Sequence, residues 1–466
     1  MDSLPTHPHV AVSDLDPDNI GPSAGIGHLT PFLRLASMLA APSNCCRVTM
    51  IIIRPTLSSA EANQISTFLS SHPHISPSEF HALPPEPSDP NTQDPFLLQY
   101  DAVSRSAHLL VHHLSNLSPP LSVVFSDLML ASGINTPLAD LGVLNYTVIT
   151  TSARFFSLIA SLPHIRITKG ESVAIPGVDP IQGEHVPPPM CNPDHVFTRI
   201  LEINCRYLHK AKGVLLNSFD FFEPETISAL QSGKVLPNLP PIFPVGPLTS
   251  FETKKGSTSI SWLDNQPLSS VVFVSFGSRT SMSKDQIREL GEGLERSRMR
   301  FLWVIKTTVV DKEDKEELRE LLGETFFEKI KERGLVVKQW VNQEEILAHS
   351  AIRGFLTHCG WNSVMEATQR GIPLLAWPLH GDQKVNAEVV EKAGLGVWER
   401  SWGWGGERLV KGEEIAVKIQ EMMTSGKLMD SARRVGEQAS KAWEIHGSSK
   451  KSFKTIIDMS RRYQES

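Results

Sequence analysis

Residues 340–383 read WVNQEEILAHSAIRGFLTHCGWNSVMEATQRGIPLLAWPLHGDQ. Two short apolar runs, 354–357 and 374–376, flank a helical pattern over 363–369. Apolar runs that are bounded by turns and separated by a helix predict a βαβ unit, in which a crossover helix joins two parallel strands. This stretch therefore predicts an α/β fold with a parallel sheet.

The same alternation continues outward through both halves of the chain. Further strands are predicted, in chain order, at 9–12, 46–53, 121–125, 145–149, 213–217, 270–276, 301–305 and 335–337. Apolar residues at helical spacing predict helices between them, including one after the glycine-rich residues 21–27 and one over 284–295. The expected fold class is α/β with two tandem Rossmann-like doubly wound domains that face each other across a cleft, with ligands at the carboxyl ends of the strands.

A proline-rich segment separates the two halves. Residues 236–248 (LPNLPPIFPVGPL) hold five prolines, which disfavour helix interiors and inner strands. A chain of 466 residues is also longer than one core normally supports. We therefore expect a first domain over 1–240, a linker over 241–260, a second domain over 261–445, and a C-terminal helix over 446–466 that returns toward the first domain.

Composition excludes several classes of protein. The net charge is −6 without a basic tract, which argues against a nucleic-acid partner. The five cysteines lack C-x-x-C spacing, and the histidine pairs His7/His9, His72/His74 and His112/His113 lack supporting ligands. We expect no metal or disulfide, and solvated loops for those histidines. No secretory signal or apolar stretch of about 18 residues is present, so we expect a cytoplasmic protein without a membrane span. We also expect a monomer.

Residues 357–363 (THCGWNS) join a predicted strand to a predicted helix. Gly360 would allow the backbone to approach a ligand, and Asn362 and Ser363 stand where capping residues expose free N–H groups. A helix N-terminus of this kind suits a diphosphate. Glu366, one turn inside the helix, suits a ribose diol, and Trp340 offers a flat face for a base.

A second motif lies near the N-terminus, where residues 21–29 read GPSAGIGHL. The dinucleotide fingerprint G-x-G-x-x-G is not completed, because Leu29 and Thr30 follow His28 without a third glycine in register. The glycines instead predict a histidine exposed at a strand–helix turn. Such a histidine is suited to accept a proton near neutral pH.

The 44 residues from Trp340 to Gln383 resemble the donor-binding signature of plant UDP-dependent glycosyltransferases that act on secondary metabolites. The resemblance implies the GT-B architecture and UDP-glucose as donor, with no permanently bound cofactor. It implies that Trp340, Val341 and Gln343 bind uracil and that Glu366 binds the ribose. The other implied donor contacts are His358, Gly360, Asn362, Ser363 and Ser278 at the diphosphate, Trp361, Asp382, Gln383 and Thr150 at the sugar, and Gly27. Gln383 in the closing position is typical of glucose donors.

The same resemblance assigns the chemistry. Residues 25–31 match the family pattern G-x-G-H-L-x-P, which makes His28 the catalytic base, and Asp127 is then the aspartate that orients its imidazole. The implied reaction is one displacement. His28 deprotonates the acceptor, the nucleophile attacks the anomeric carbon, and UDP leaves with inversion. Fixed N–H dipoles and His358 stabilise the leaving diphosphate without a metal.

Several stretches are similar to one branch, the plant C-glycosyltransferases that act on flavonoid precursors and benzophenones. They are residues 94–99, 105–110, 175–177, 380–398 and 402–407. A deprotonated phloroglucinol-type ring carries charge on carbon as well as on oxygen, so the atom in line with the anomeric carbon attacks. The expected acceptor is a small polyphenol, and O-glucosylation remains the alternative because the same base serves both.

Two departures from the family pattern leave further alternatives open. Asn342 stands where the family usually has proline, and residues 13–20 (SDLDPDNI) are inserted between the first strand and the glycine-rich turn. The insertion is either a tolerated loop or a change that displaces His28. In the second case the protein would bind UDP-sugar or a small molecule without turnover. A nucleotide-dependent oxidoreductase is a third interpretation, against which the missing glycine fingerprint counts.

Overall fold

The computed structural model describes residues 8–13, 26–44, 46–54, 59–84, 86, 95–249, 261–277, 282–306, 317–338 and 341–465. Two α/β units are present, each built on its own parallel sheet. We call the residues 1–254 and 441–466 unit 1 and the residues 255–440 unit 2. The described helices include none that is long and apolar enough to cross a membrane.

The strands of unit 1 are, in chain order, β1 (His9–Ser13), β2 (Arg47–Arg54), β3 (Ser76–His81), β4 (Val123–Asp127), β5 (Leu144–Ile149), β6 (Val173–Ile175), β7 (Val178–Ile181), β8 (Gly213–Leu216) and β9 (Ile242–Pro244). Seven of them form a parallel sheet in the order β3-β2-β1-β4-β5-β8-β9, and β6 pairs with β7 in antiparallel orientation. The order reverses between β1 and β4, which is the switch point at which doubly wound sheets bind ligands.

The helices of unit 1 before the second sheet are α1 (Ile26–Leu39), α2 (Ser59–Ser71), α3 (Pro95–Arg105), α4 (Ala107–Ser115), α5 (Ala131–Asp140), α6 (Ala153–Ser161), α7 (Val196–Arg206) and α8 (Pro224–Gln231). Short 3₁₀ helices lie at Pro42–Asn44, Leu128–Leu130, Gly183–His185, Pro188–Cys191 and Leu208–Lys210. The core of the unit contains Phe32 and Leu33 of α1 packed with Val10 and Val12 of β1. Strand β1 pairs with both β2 and β4, so it is an inner strand of the sheet. Residues 14–20 of the predicted insertion lie outside the described residues.

Unit 2 contains the strands β10 (Val271–Ser275), β11 (Arg300–Val304), β12 (Gly334–Val337), β13 (Ile352–Thr357), β14 (Leu374–Ala376) and β15 (Gly396–Trp398). They form one parallel sheet in the order β12-β11-β10-β13-β14-β15. Its helices are α9 (Ser261–Asp264), α10 (Lys284–Ser297), α11 (Leu318–Leu322), α12 (Glu324–Ile330), α13 (Gln343–Leu347), α14 (Trp361–Arg370), α15 (Gln383–Lys392), a 3₁₀ helix at Arg400–Trp402, and α16 (Gly412–Thr424). The chain ends with α17 (Gly426–Ala442) and α18 (Ser448–Glu465).

The C-terminal helix α18 belongs to the core of unit 1. Its residues Phe453, Ile456 and Ile457 are buried with the apolar residues of the first sheet. Two hydrogen bonds fix the chain around it: the Ser449 hydroxyl donates to the carbonyl of Gly246 over 2.6 Å, and the Trp443 indole N–H donates to the carbonyl of Pro247 over 2.8 Å. Unit 1 is therefore completed by residues from the far end of the chain.

The structure differs from the sequence predictions at the edges of the first sheet. Strand β9 lies inside the proline-rich segment, because an edge strand tolerates a residue that cannot donate to the ladder. Strand β3 carries a mostly polar pattern that gives no apolar run, since it forms the opposite edge. Two of the histidines expected in solvated loops are buried instead. His9 contacts the Thr49 hydroxyl at 2.7 Å and His72 contacts the Ser37 hydroxyl at 3.1 Å.

Candidate active site

The strand order of unit 1 places three polar residues at one end of the sheet. Asp127 is the last residue of β4, and Thr150 directly follows β5. Strand β4 pairs on one side with β1 and on the other with β5, so the carboxyl ends of these parallel strands lie side by side. His28 reaches the same place from the first turn of α1, where the sequence predicted a turn before the helix.

His28 and Asp127 form a buried pair, so the prediction of an exposed histidine is wrong. The Nδ1 atom of His28 lies 3.1 Å from Oδ2 of Asp127, and the two residues are 6% and 1% exposed. The other carboxylate oxygen, Oδ1, accepts the backbone N–H of Met129 over 2.8 Å and caps the 3₁₀ helix after β4. Because a carboxylate only accepts, Nδ1 carries the proton that it donates to Asp127, and the lone pair of the neutral ring is on Nε2.

Thr150 lies against the imidazole ring. Its Oγ1 atom lies 3.0 Å from Nδ1 and 3.2 Å from Nε2 of His28. Both distances are within hydrogen-bond range, so the hydroxyl is a polar contact of the ring and restrains it.

An apolar pocket adjoins this polar corner. The space between its atoms amounts to about 410 Å³, a figure that includes solvent at its open mouth. Apart from His28, Asp127, Thr150 and Thr151, every lining residue is apolar: Leu128, Met129, Val148, Ile149, Phe155, Ile159, Phe197 and Leu201. Sequence analysis missed these residues, because apolar side chains on α6 and α7 carry the same pattern as core residues. A ring with a few polar groups at one end fits such a lining.

In unit 2, two glycines lie against the imidazole of His358: Gly360 in the turn between β13 and α14, and Gly277 after β10. A side chain at Gly360 would place its Cβ 2.5 Å from Nε2 of His358, and one at Gly277 would place it 2.8 Å away. Gly277 also has a φ of +77°. Between His358 and Gly360, Cys359 adopts a φ of +65°, an uncommon conformation for a residue with a side chain. The turn therefore holds His358 against backbone at the N-terminus of α14.

Gln343 connects the next part of the predicted donor set. Its Nε2 atom donates to Oγ of Ser363 over 3.0 Å and to Oε2 of Glu366 over 2.7 Å. Asn342 precedes it as the N-cap of α13 and accepts the N–H of Glu345 over 3.3 Å. Asparagine at the family's proline position thus begins the helix by capping it. Val341 is buried beside this turn.

Asp382 and Gln383 lie at the start of α15, and both are buried. The Oε1 atom of Gln383 accepts the backbone N–H groups of Leu379 and His380 over 2.8 and 3.0 Å. The side chain of Asn386, one turn later, donates to the carbonyl of Cys359 over 3.2 Å. Burial and the negative charge of Asp382 raise the pKa of the Cys359 thiol. The turn before α14 and the start of α15 are therefore neighbours.

The remaining predicted site residues lie at the start of α14, at the start of α1, or outside the described residues. Trp361, the first residue of α14, is 4% exposed and packs inside unit 2. The N-cap of α14 is Gly360, so the capping position predicted for Asn362 and Ser363 is wrong and they are the second and third residues of the helix. Gly27 lies in the first turn of α1, with no described atom within 4 Å of an added Cβ. Trp340 and Ser278 lie outside the described residues. The described residues contain no group of three His, Cys, Asp or Glu that could hold a metal ion.

Comparison with known proteins identifies relatives along nearly the whole chain. Residues 237–400 match the family described as UDP-glucoronosyl and UDP-glucosyl transferase. UDP-glycosyltransferase 708C2 of Fagopyrum esculentum is 51% identical over 98% of this chain and 96% of its own.

Solved structures agree with this result. LpCGTa in complex with UDP has a TM-score of 0.85 and 41% identity, over 98% of this chain and 99% of its own. Medicago truncatula UGT71G1, complexed with UDP-glucose, has a TM-score of 0.82 and 26% identity, over 99% of this chain and 100% of its own. The two parallel sheets described above are those of the GT-B fold shared by these structures.

Proposed function

The chain belongs to family 1 of the UDP-dependent glycosyltransferases, and from this membership we propose that it transfers glucose from UDP-glucose to a polyphenolic acceptor, with inversion and formation of a C-glucoside. The observation that carries the proposal is the buried His28–Asp127 pair at the polar end of an apolar pocket. Membership in the family supports the transfer of a sugar from a UDP-sugar donor to an acceptor. The acceptor, the sugar and the atom attacked are the proposed part.

His28 acts as the general base in this proposal. Asp127 holds the Nδ1 proton, so Nε2 accepts the proton of an acceptor phenol and the resulting imidazolium is stabilised by the carboxylate. The apolar lining restricts water, which favours attack by the phenol over hydrolysis of the donor. Phe155 and Phe197 supply aromatic surface for the acceptor ring.

The residues of unit 2 bind the donor in this proposal. The N-terminus of α14, with Gly360, Asn362 and Ser363, is suited to the diphosphate, and His358 supplies a further hydrogen bond to the leaving group. Glu366 and Gln343 form a hydrogen-bonded pair that suits the ribose and the base. Glucose is proposed because Gln383 closes the segment, and the related UGT71G1 was solved with UDP-glucose.

The C-glucoside is favoured by the relatives. The solved structure of LpCGTa, which bears the abbreviation for a C-glycosyltransferase in its name, shares 41% of the sequence. Deprotonation of a phloroglucinol-type ring makes both an oxygen and an ortho carbon nucleophilic, and the orientation of the ring in the pocket selects between them. The suggested acceptors are 2-hydroxyflavanones and benzophenones.

We propose that the enzyme acts as a cytoplasmic monomer.

The proposal is tested with pure protein, UDP-glucose and either 2-hydroxynaringenin or 2,4,6-trihydroxybenzophenone. The product is heated in acid and followed by mass spectrometry, because a C-glucoside survives conditions that hydrolyse an O-glucoside. We expect an acid-stable glucoside. An acid-labile product would replace the C-glucoside with an O-glucoside. No product across a broad phenolic panel, with UDP still raising the melting temperature, would leave only a UDP-binding protein.

A further inference from the structure

A buried carboxylate outside the predicted site joins two of the loops at the ligand-binding end of the first sheet. Glu223 is 4% exposed and lies between β8 and α8. Its Oε1 atom accepts the backbone N–H of Arg154, and its Oε2 atom accepts that of Ala153, both over 2.9 Å. The Ser218 hydroxyl donates to Oε2 over 2.6 Å. The loop after β8 is therefore bonded to the first turn of α6.

These hydrogen bonds satisfy the first backbone N–H groups of α6, a helix that is shielded from solvent. All nine residues of α6 are buried, and the first N–H groups of a helix have no partner within it. Ser152 caps the N–H of Phe155, and Glu223 takes those of Ala153 and Arg154. Burial raises the pKa of the Glu223 carboxyl, while Ser218 and the two backbone N–H groups oppose the rise. The positive end of the helix dipole further favours a carboxylate here.

The same turn carries part of the acceptor pocket. Thr150 and Thr151 line the pocket just before α6, and Phe155 and Ile159 line it from the helix itself. Thr150 also contacts the ring of His28. Only two residues separate Thr150 from Ala153, whose N–H is bonded to Glu223. A shift of this turn would therefore move the threonines and Phe155 together.

We propose that Glu223 is a positioning residue for the acceptor pocket, since its carboxylate fixes the first turn of α6 and thereby the place of Thr150 beside His28. Glu223 does not line the pocket, so it acts through Thr150 and α6 and not through contact with the acceptor. The inference rests on the proposed function in that it takes this pocket to be the one that binds the phenol.

The test compares Glu223→Gln with Glu225→Gln as a matched control. Glutamine keeps the shape of glutamate but presents an NH₂ group toward one of the two backbone donors, so at least one bond to α6 is lost. Glu225→Gln makes the same chemical change at an exposed position two residues later, in α8. For Glu223→Gln we expect the KM for 2,4,6-trihydroxybenzophenone to rise by up to about tenfold, the limit reached if the net free energy of one lost hydrogen bond appears wholly in acceptor binding. The KM for UDP-glucose should stay within about twofold, and Glu225→Gln should change neither KM.

Hydrogen–deuterium exchange of the full-length protein separates positioning from a general loss of folding. In Glu223→Gln we expect faster exchange in a peptide that covers residues 150–158, with exchange in β4 and in α14 unchanged. A merely structural role would lower the active fraction, which reduces kcat and leaves both KM values as they are. That result, or an unchanged exchange rate in residues 150–158, would overturn the proposal.

Failure of the proposed function has a different signature. If the wild-type protein makes no product from any phenol, the function is wrong, and the exchange experiment still decides whether Glu223 holds α6. Unchanged exchange would then overturn the positioning role as well. If the wild type is active and Glu223→Gln keeps its acceptor KM, only the inference about Glu223 fails.

Discussion

The two units build their candidate sites in different ways. In unit 1, His28 is 99 residues from Asp127 and 122 residues from Thr150, and the strand order brings them together. In unit 2, the described donor residues lie between Val341 and Gln383, and turns and helix starts within that segment position them. The first site depends on the topology of a whole sheet, and the second depends largely on local backbone geometry.

This difference predicts that the two units have different roles in the reaction. Unit 1 supplies an ionisable side chain whose partners are also side chains, which suits proton transfer. Unit 2 supplies glycine turns, helix N-termini and hydrogen-bonded amides, which suit binding of an anionic nucleotide. Substitutions of the base and its direct partners in unit 1 should therefore act mainly on kcat, and substitutions of the donor residues in unit 2 mainly on the KM for UDP-glucose.

The largest effect is expected for His28→Ala. Loss of a general base typically reduces turnover by about 10²–10⁴-fold, so we expect kcat to fall by about 10³-fold. The melting temperature in the presence of UDP should rise as much as in the wild type, since the donor residues are unchanged. Retention of more than a tenth of the wild-type kcat would remove His28 from the mechanism and would break the comparison.

Glu366→Ala should have the next largest effect, which we expect on the binding of the donor by unit 2. It removes the carboxylate that accepts from Gln343 and that is expected to hold the ribose. Hydrogen bonds to a charged group contribute about 1.5–3 kcal/mol, so the KM for UDP-glucose should rise about 10- to 100-fold. The control is Glu345→Ala, an exposed position in the same segment. A change in kcat alone, with KM unaffected, would contradict the assignment to binding.

Thr150→Val sharpens the comparison within unit 1. Valine keeps the shape of threonine and removes the hydroxyl that contacts both ring nitrogens of His28. We expect kcat to fall about fivefold, the effect of one net hydrogen bond, with UDP-glucose bound as before. Thr147→Val is the matched control, because the Thr147 hydroxyl is buried in β5 and has no hydrogen-bond partner among the described residues. If both variants behave alike, the Thr150 hydroxyl does not restrain the base.

The smallest effect is expected where this chain departs from its family. Asn342 has a φ of −75°, which proline also adopts, and its side chain caps α13. Asn342→Pro loses the cap but stiffens the unfolded chain, so the melting temperature should change by less than about 2 °C. Asn342→Ala loses the cap alone and should melt about 2–4 °C lower. A tenfold change in the KM for UDP-glucose in Asn342→Pro would show that asparagine matters for more than capping.

The sequence predicted much of unit 2 correctly for a physical reason. The strand predicted at 374–376 is observed at the same residues, and the helix over 363–369 lies within α14. Short βαβ segments carry their turns, caps and apolar runs in consecutive residues, so local patterns report on them directly. The contacts between Gln343, Ser363 and Glu366 span about 20 residues and follow from that local fold.

Other features were beyond local patterns. The strand β9 among prolines and the polar strand β3 are decided by their edge positions in the sheet. Buried His9 and His72 were expected in solvated loops, because a polar residue is interior only when distant partners such as Thr49 or Ser37 are available. Glu223 carries no local signal at all, since its partners at the start of α6 lie about 70 residues away.

By itself the sequence determined the α/β class and the family and predicted the residues of the candidate site, because these are recorded in periodicity and motif. Only the tertiary structure decided that β4 lies between β1 and β5, that Asp127 lies 3.1 Å from His28, and that Glu223 holds the turn beside them. The reason is that strand order and burial depend on which distant segments pack together, and no stretch of local sequence specifies its partner across a hundred residues.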